Sequence, residues 1–134
     1  MGTSNFELDE IGDKLIPFYR HCVMKNELKN MKPNEKESLI VNLNNSDEKG
    51  SHWVLIYKNG NEKIFFDSFG VLPPQNIIDY LGKNIYTSDI KIQNFDETVC
   101  GLYCILIAYL LNCNHKFEDI IIDLLRIQKS EIFS

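Results

Sequence analysis

Cys100 stands at the head of an apolar run, Gly101 and then Leu102-Tyr103-Cys104-Ile105-Leu106-Ile107-Ala108-Tyr109-Leu110-Leu111. That run is too long, and too rich in leucine and alanine, for most strands, so it predicts a buried helix with Cys100 in its first turn. A thiol there faces the positive end of the helix macrodipole and several unpaired N–H groups, a setting that makes a nucleophile of it. Upstream, His52-Trp53 opens one predicted strand and Asp67 closes the next. If those strands pair antiparallel, His52 and Asp67 lie at the same end of the hairpin. Asp67 would then accept from one imidazole nitrogen, fixing the tautomer and stabilising the imidazolium. Gln93 lies seven residues before Cys100. Its side-chain amide and the backbone N–H of Cys100 are the two donors an oxyanion hole needs.

Each residue also has a plain structural reading. His52 is otherwise an exposed loop histidine, Asp67 a turn residue capping Phe69 or Gly70, and Gln93 an exposed polar strand residue. A free cysteine most often serves as a small core residue. Cys104 and Cys113, inside and at the end of the apolar run, fit that reading, whereas Cys100 stands at its start. Trp53, the single tryptophan, is either core or a lid beside His52. Cys100, Cys104, Cys113 and His115 could be counted as zinc ligands, but cysteines embedded in an aliphatic run do not converge as such ligands must, so no metal is expected. His21-Cys22 point to opposite faces of an extended segment. Asp119 and Asp123 fall on the wet face of the last helix. There is no Gly-rich phosphate loop.

The elements that would position these residues follow from periodicity and turn chemistry. Phe6 to Leu15 reads as an amphipathic helix with Leu8, Ile11 and Leu15 on one face, ended by Pro17. Phe18 to Met24 reads as extended, Lys25 to Met31 as a helical turn stopped by Pro33, and Leu39-Ile40-Val41 as a short buried strand. Asn44 to Gly50 is a polar loop. Trp53 to Tyr57 and Lys63 to Phe66 are strands joined at Asn59-Gly60, a strong hairpin signal. Ser68-Phe69-Gly70 turns the chain, and Pro73-Pro74 leads into a helix through Leu81. Ile85-Tyr86 and Ile90-Lys91-Ile92 read as short strands. The Cys100 helix follows, then a break at Asn112 to Asn114 and a last helix from Phe117 to Ile127. The order predicts one α+β domain over residues 1–134, with a mixed, mostly antiparallel sheet against the Cys100 helix.

Composition narrows the partners. The chain has 134 residues with 44% hydrophobic, enough for one core. A net charge of −5 argues against binding nucleic acid through a general positive field. The polar start, Met1-Gly2-Thr3-Ser4-Asn5 followed by Glu7, Asp9 and Glu10, does not read as a secretory leader. The thiols are therefore expected to be reduced and the protein not secreted. The run from Leu102 to Leu111 falls short of the ~20 residues a membrane span needs, so no membrane partner is expected.

Taken together, Gly50-Ser51-His52-Trp53-Val54, Phe66-Asp67-Ser68-Phe69-Gly70, Gln93 and Cys100-Gly101-Leu102-Tyr103-Cys104 resemble the adenovirus protease (adenain) family and, more broadly, the Ulp1-like cysteine peptidases. The chain order His, acid, Gln, Cys is that of the clan. Val23-Met24-Lys25-Asn26-Glu27-Leu28 and Ile40-Val41-Asn42-Leu43 resemble the small proteases of Maverick/Polinton elements and virophages. The resemblance covers about residues 15–113. It implies a Ulp1/adenain-like fold, with His52 as general base, Asp67 as its orienter, Cys100 as nucleophile and Gln93 as oxyanion donor. It also implies that Trp53, Met24 and Glu27 meet the substrate, with Trp53 narrowing the cleft toward small side chains.

The implied substrates are capsid or core precursor proteins cut near glycine during virion maturation, which places the protein in the virion and the infected cell. Asp67 stands where adenovirus enzymes carry Glu; other clan members use Asp, so the role survives. The adenovirus enzyme is longer and is activated by a disulfide-linked peptide and by DNA. No residue here matches its peptide-linking cysteine, and the acidic balance disfavours DNA, so an activating peptide or DNA does not carry over and no cofactor is expected. The same residues also suit an isopeptidase that removes a ubiquitin-like modifier such as SUMO or ubiquitin, a non-catalytic adaptor derived from a protease, or an acyl transferase. A chain this short leaves little surface for docking a large modifier, and the complete His/Asp/Gln/Cys set argues against decay into an adaptor.

Overall fold

Val54 to Ile56, Ile64 to Phe66 and Leu39 to Val41 are apolar without interruption, as strands covered on both faces must be. In the computed structural model, which describes residues 4–44, 52–92 and 100–133 with side chains up to 127, they form three adjacent strands of a four-stranded sheet. The elements run α1 (Asn5–Leu15), β1 (Tyr19–Met24), a 3-10 turn (Lys25–Asn30), β2 (Lys36–Asn42), β3 (Trp53–Asn59), β4 (Glu62–Phe66), α2 (Gln75–Leu81), α3 (Cys100–Asn112) and α4 (Phe117–Phe133). Strand order is β1-β2-β3-β4, with β1 parallel to β2 and the other pairs antiparallel.

Alternate residues divide the core. Ile40, Trp53, Leu55, Tyr57, Ile64 and Phe66 pack with α1, α3 and α4. Leu39, Val41, Val54, Ile56 and Phe65 pack with α2 and the 3-10 turn on the other face. The β3–β4 hairpin closes through Gly60-Asn61, with Gly60 at φ +61 and Asn59 opposite Glu62. Two-residue hairpin loops need such a residue, because their twist must match that of the strands.

Several expectations shift. In α1 the buried stripe is Leu8 and then Ile16, just past the helix; Leu15 is half exposed. The last helix runs on to Phe133, beyond the expected end at Ile127. Ile85-Tyr86 and Ile90-Lys91-Ile92 are not strands. Tyr86 makes a single bridge, its N–H donating to the Lys63 carbonyl at 2.8 Å and its carbonyl accepting from Phe65 at 2.9 Å, which covers the outer edge of β4. The 90–92 segment packs beneath the turn after β4 instead of pairing along it, with Ile92 N–H on the Ser68 carbonyl at 2.9 Å. Helix α3 buries Cys100, Cys104, Ile105, Ile107, Ala108 and Leu111, but Leu102, Leu106 and Tyr109 stay about 40% exposed along its far side. Cys113, expected to be buried, is exposed at the end of that helix, and His115 is exposed beyond it. Most of the Asn44 to Gly50 loop, and Gln93, lie outside the described residues.

The sequence reading missed a buried polar group. The Glu37 side chain on β2 is fully buried, and both carboxylate oxygens are used: Oε1 accepts from Arg20 on β1 at 2.7 Å and Oε2 from the Tyr80 hydroxyl on α2 at 2.6 Å. Arg20 also donates to the Tyr80 oxygen at 3.0 Å and to the Lys32 carbonyl at 3.1 Å. The group ties the sheet to α2 on the face away from α3.

Candidate active site

The antiparallel register of β3 and β4 puts Leu55 opposite Phe66, so the residues just before β3 and just after β4 meet at one end of the hairpin. His52 and Asp67 occupy those positions. His52 Nε2 lies 3.0 Å from Asp67 Oδ1, and the carboxylate is almost fully buried. The His52 carbonyl accepts from Leu43 N–H at 2.9 Å, so the backbone is held from the β2 side as well. Asp67 also plays its plain structural part, because the same Oδ1 accepts the Phe69 N–H at 2.8 Å.

Trp53 couples this corner to α3. Its backbone N–H donates to Cys100 Sγ at 3.3 Å, and its carbonyl accepts from the Cys104 thiol, one helical turn on, at 3.5 Å. Two thiols thus grip one residue of β3, and Cys100 comes to rest beside His52. Gly101 makes the fit possible: a Cβ there would meet Leu8 Cδ1 at 2.8 Å and Trp53 Cδ1 at 3.1 Å. The two thiols differ chemically. Cys104 is fully enclosed, and burial pushes its thiol up, which keeps it protonated. Cys100, also buried, sits at the helix N-terminus.

Burial pulls the His52 imidazole toward the neutral form. The hydrogen bond and charge of Asp67, with those of Cys100, outweigh it and push the pKa up from 6.5 to about 9. Its Nδ1 is buried and makes no hydrogen bond of good geometry. Trp53 Nε1 and Asp67 Oδ2 are likewise buried and unpartnered, so three of four such side-chain atoms among the described residues fall at this one corner. Native interiors rarely leave such groups unmatched, and catalytic positions are a recognised exception.

The sign of the pH effect follows from the raised pKa. An imidazolium favoured in the folded state contributes stability fully below about pH 6.5 and loses it as pH rises through about 9. In urea unfolding, the margin of wild type over His52→Gln should therefore be largest at pH 6 and smallest at pH 9.5. A margin constant across that interval would rule out the charged pair.

A cleft of about 360 Å³ lies against Trp53, lined by Met24, Glu27, Asn42 and Trp53 together with Ser4, Asn5, Cys22 and Val23; His52, Asp67 and Cys100 do not line it. The structure thus brings Met24 and Glu27 to the same cleft as Trp53. Glu27 Oε1 accepts the Met24 N–H at 2.8 Å, which ties the start of the 3-10 turn to the end of β1. Trp53 serves both as core, at 5% exposure, and as cleft wall. Two participants escaped the sequence reading. Cys22 lines the cleft, its N–H on Asp9 Oδ1 at 2.7 Å. Phe69 stacks on His52; its only signal was an aromatic two residues after Asp67 in a glycine turn. Among the described residues no group of three or more His, Cys, Asp or Glu side chains converges as metal ligands would.

The fold, α+β with a mixed sheet and a cysteine at the head of the central helix, is shared with solved protease structures. The solved structures similar to it include the crystal structure of ASFV pS273R protease, with a TM-score of 0.65 over 90% of this chain and 61% of that one, at 17% identity. A second crystal structure, of Se-Met ASFV pS273R protease, gives a TM-score of 0.52 over 67% and 39% of the two chains, at 20% identity. The chain spans about three fifths of the length of the first of these. At such identity the likeness is one of fold. By sequence, no family model and no curated protein matches the chain.

Proposed function

We infer that the protein is a cysteine endopeptidase. The observation that carries this reading is the His52 imidazole held by Asp67 at 3.0 Å, with its other nitrogen unpartnered, beside Cys100 at the head of α3. In the proposed reaction His52 and Cys100 form a thiolate–imidazolium pair. The thiolate attacks the scissile carbonyl, and the backbone N–H of Cys100 and the Gln93 amide receive the oxyanion. His52 then donates its proton to the leaving amine as the C–N bond breaks. Water, deprotonated by His52, attacks the thioester, and collapse releases the carboxylate and restores the thiol. Asp67 keeps the ring in one tautomer throughout.

The substrates proposed are capsid or core precursor proteins of a virus, cut during maturation in the virion or infected cell. Support comes from the fold shared with a viral protease and from the sequence resemblance to virophage and Maverick/Polinton enzymes. A cleft walled by Trp53 and Met24 suits a glycine-containing segment, with Glu27 at its rim.

The test is labelling with iodoacetamide, mapped by mass spectrometry, in wild type and His52→Ala. Cys100 should be the thiol alkylated first, and its rate should fall by about tenfold or more without His52. Labelling confined to the exposed Cys113, or a Cys100 rate indifferent to His52, would overturn the reading.

A further inference from the structure

We propose that Phe69 is a positioning residue for His52, its ring face holding the imidazole in the plane that keeps Nε2 on Asp67. This rests on the protease reading above. The two rings stack with centroids 4.7 Å apart and planes 18° from parallel. An imidazolium over an aromatic face is attracted by the ring quadrupole within about 6 Å, and a neutral imidazole gains less. The stack therefore favours the charged ring that the mechanism requires.

Among the described residues, core packing does not explain the place of Phe69. It belongs to neither hydrophobic cluster and is partly exposed, and the neighbouring Val71 and Leu72 are more than half exposed. Its backbone, in contrast, is tightly specified. The Asp67–Gly70 turn is closed by Gly70 N–H on the Asp67 carbonyl at 2.9 Å. Gly70 takes φ +74, and a Cβ on it would meet the Asp89 carbonyl oxygen at 2.8 Å, so the 89–90 segment backs the turn directly. Ile92 N–H on the Ser68 carbonyl is a second tie. Within that turn the Phe69 N–H and His52 Nε2 share one oxygen, Asp67 Oδ1. The backbone of Phe69 thus fixes the carboxylate while its side chain fixes the ring the carboxylate serves.

Among the described residues, the titratable groups acting on His52 are Asp67 from the end of β4 and Cys100 from α3. Phe69 carries no charge, so its contribution separates cleanly from theirs. Phe69→Leu keeps an apolar side chain of similar bulk and removes the ring face; Phe69→Tyr keeps the face. Both variants should fold, since the side chain stands outside the core.

Two readouts are taken on the full chain: titration of the His52 ring by NMR, and the rate at which iodoacetamide alkylates Cys100. In Phe69→Leu, His52 is expected to titrate about half a pH unit lower, with alkylation slowed about fivefold; Phe69→Tyr should stay near wild type. A folded Phe69→Leu with wild-type titration and rate would overturn the proposal, as would a Phe69→Tyr that behaves like Leu. If wild-type Cys100 resists alkylation altogether, the protease reading fails, and the His52 titration still decides whether Phe69 holds the imidazolium.

Discussion

Cys100→Ala is expected to remove at least about 10⁴-fold of turnover on a glycyl-glycine peptidyl coumarin amide, because the proposed acyl-enzyme forms on the Cys100 thiol. The variant also carries a structural cost: Trp53 N–H now donates to Cys100 Sγ, and alanine would leave that buried donor unpaired, at about 1–3 kcal/mol. Cys100→Ser keeps an acceptor there and should be as inactive while more nearly wild type in stability. Cys104→Ala, once checked for folding, should keep activity of the same order as wild type, since the enclosed Cys104 thiol is held protonated. Gln93→Ala should fall between, losing about 10²–10³-fold in kcat if its amide is an oxyanion donor. Turnover by Cys100→Ala within about 10²-fold of wild type would remove Cys100 from its role.

Arg20→Met is the substitution expected to cost most in stability. Glu37 is enclosed completely and depends on Arg20 and Tyr80 for its two oxygens. Removing the guanidinium leaves a buried carboxylate with only the tyrosine hydroxyl, which costs about 3–5 kcal/mol in comparable sites. Arg20→Met combined with Glu37→Leu removes both charges and should recover part of that loss, because an apolar pair avoids the desolvation that the ion pair must overcome. Urea unfolding at pH 7 of the two variants measures both effects. A single-variant loss below about 1 kcal/mol would show that water reaches Glu37 and that the pair behaves as a surface bridge.

Neither Arg20 nor Glu37 attracted notice in the sequence, for a definite reason. Charged residues on a short strand read as a solvated face, and their partner Tyr80 lies on another element more than forty positions away. The same limit hid Phe69, whose meaning depends on a turn held from behind by Asp89 and Ile90. It also misplaced the 90–92 segment: three apolar-flanked residues satisfy a strand pattern locally, while only the finished sheet shows that β4's edge is already met at Tyr86. Cys113 read as core because it ends an apolar run, yet the helix stops at Asn112 and the turn after it leaves Cys113 exposed.

Local chemistry alone determined most of the elements and most of the candidate site. Apolar runs defined β3, β4 and α3, Asn59-Gly60 marked the hairpin, and element ends marked His52, Asp67 and Cys100, because termini are where side chains escape the core and meet free backbone groups. Tertiary structure alone decided which of these ends coincide. The His52–Asp67 distance follows from hairpin register, but Cys100 reaches them only because Trp53 is gripped by two thiols of α3 and because Gly101 lets that helix approach. Contacts between residues some fifty positions apart arise from packing, which no local pattern encodes.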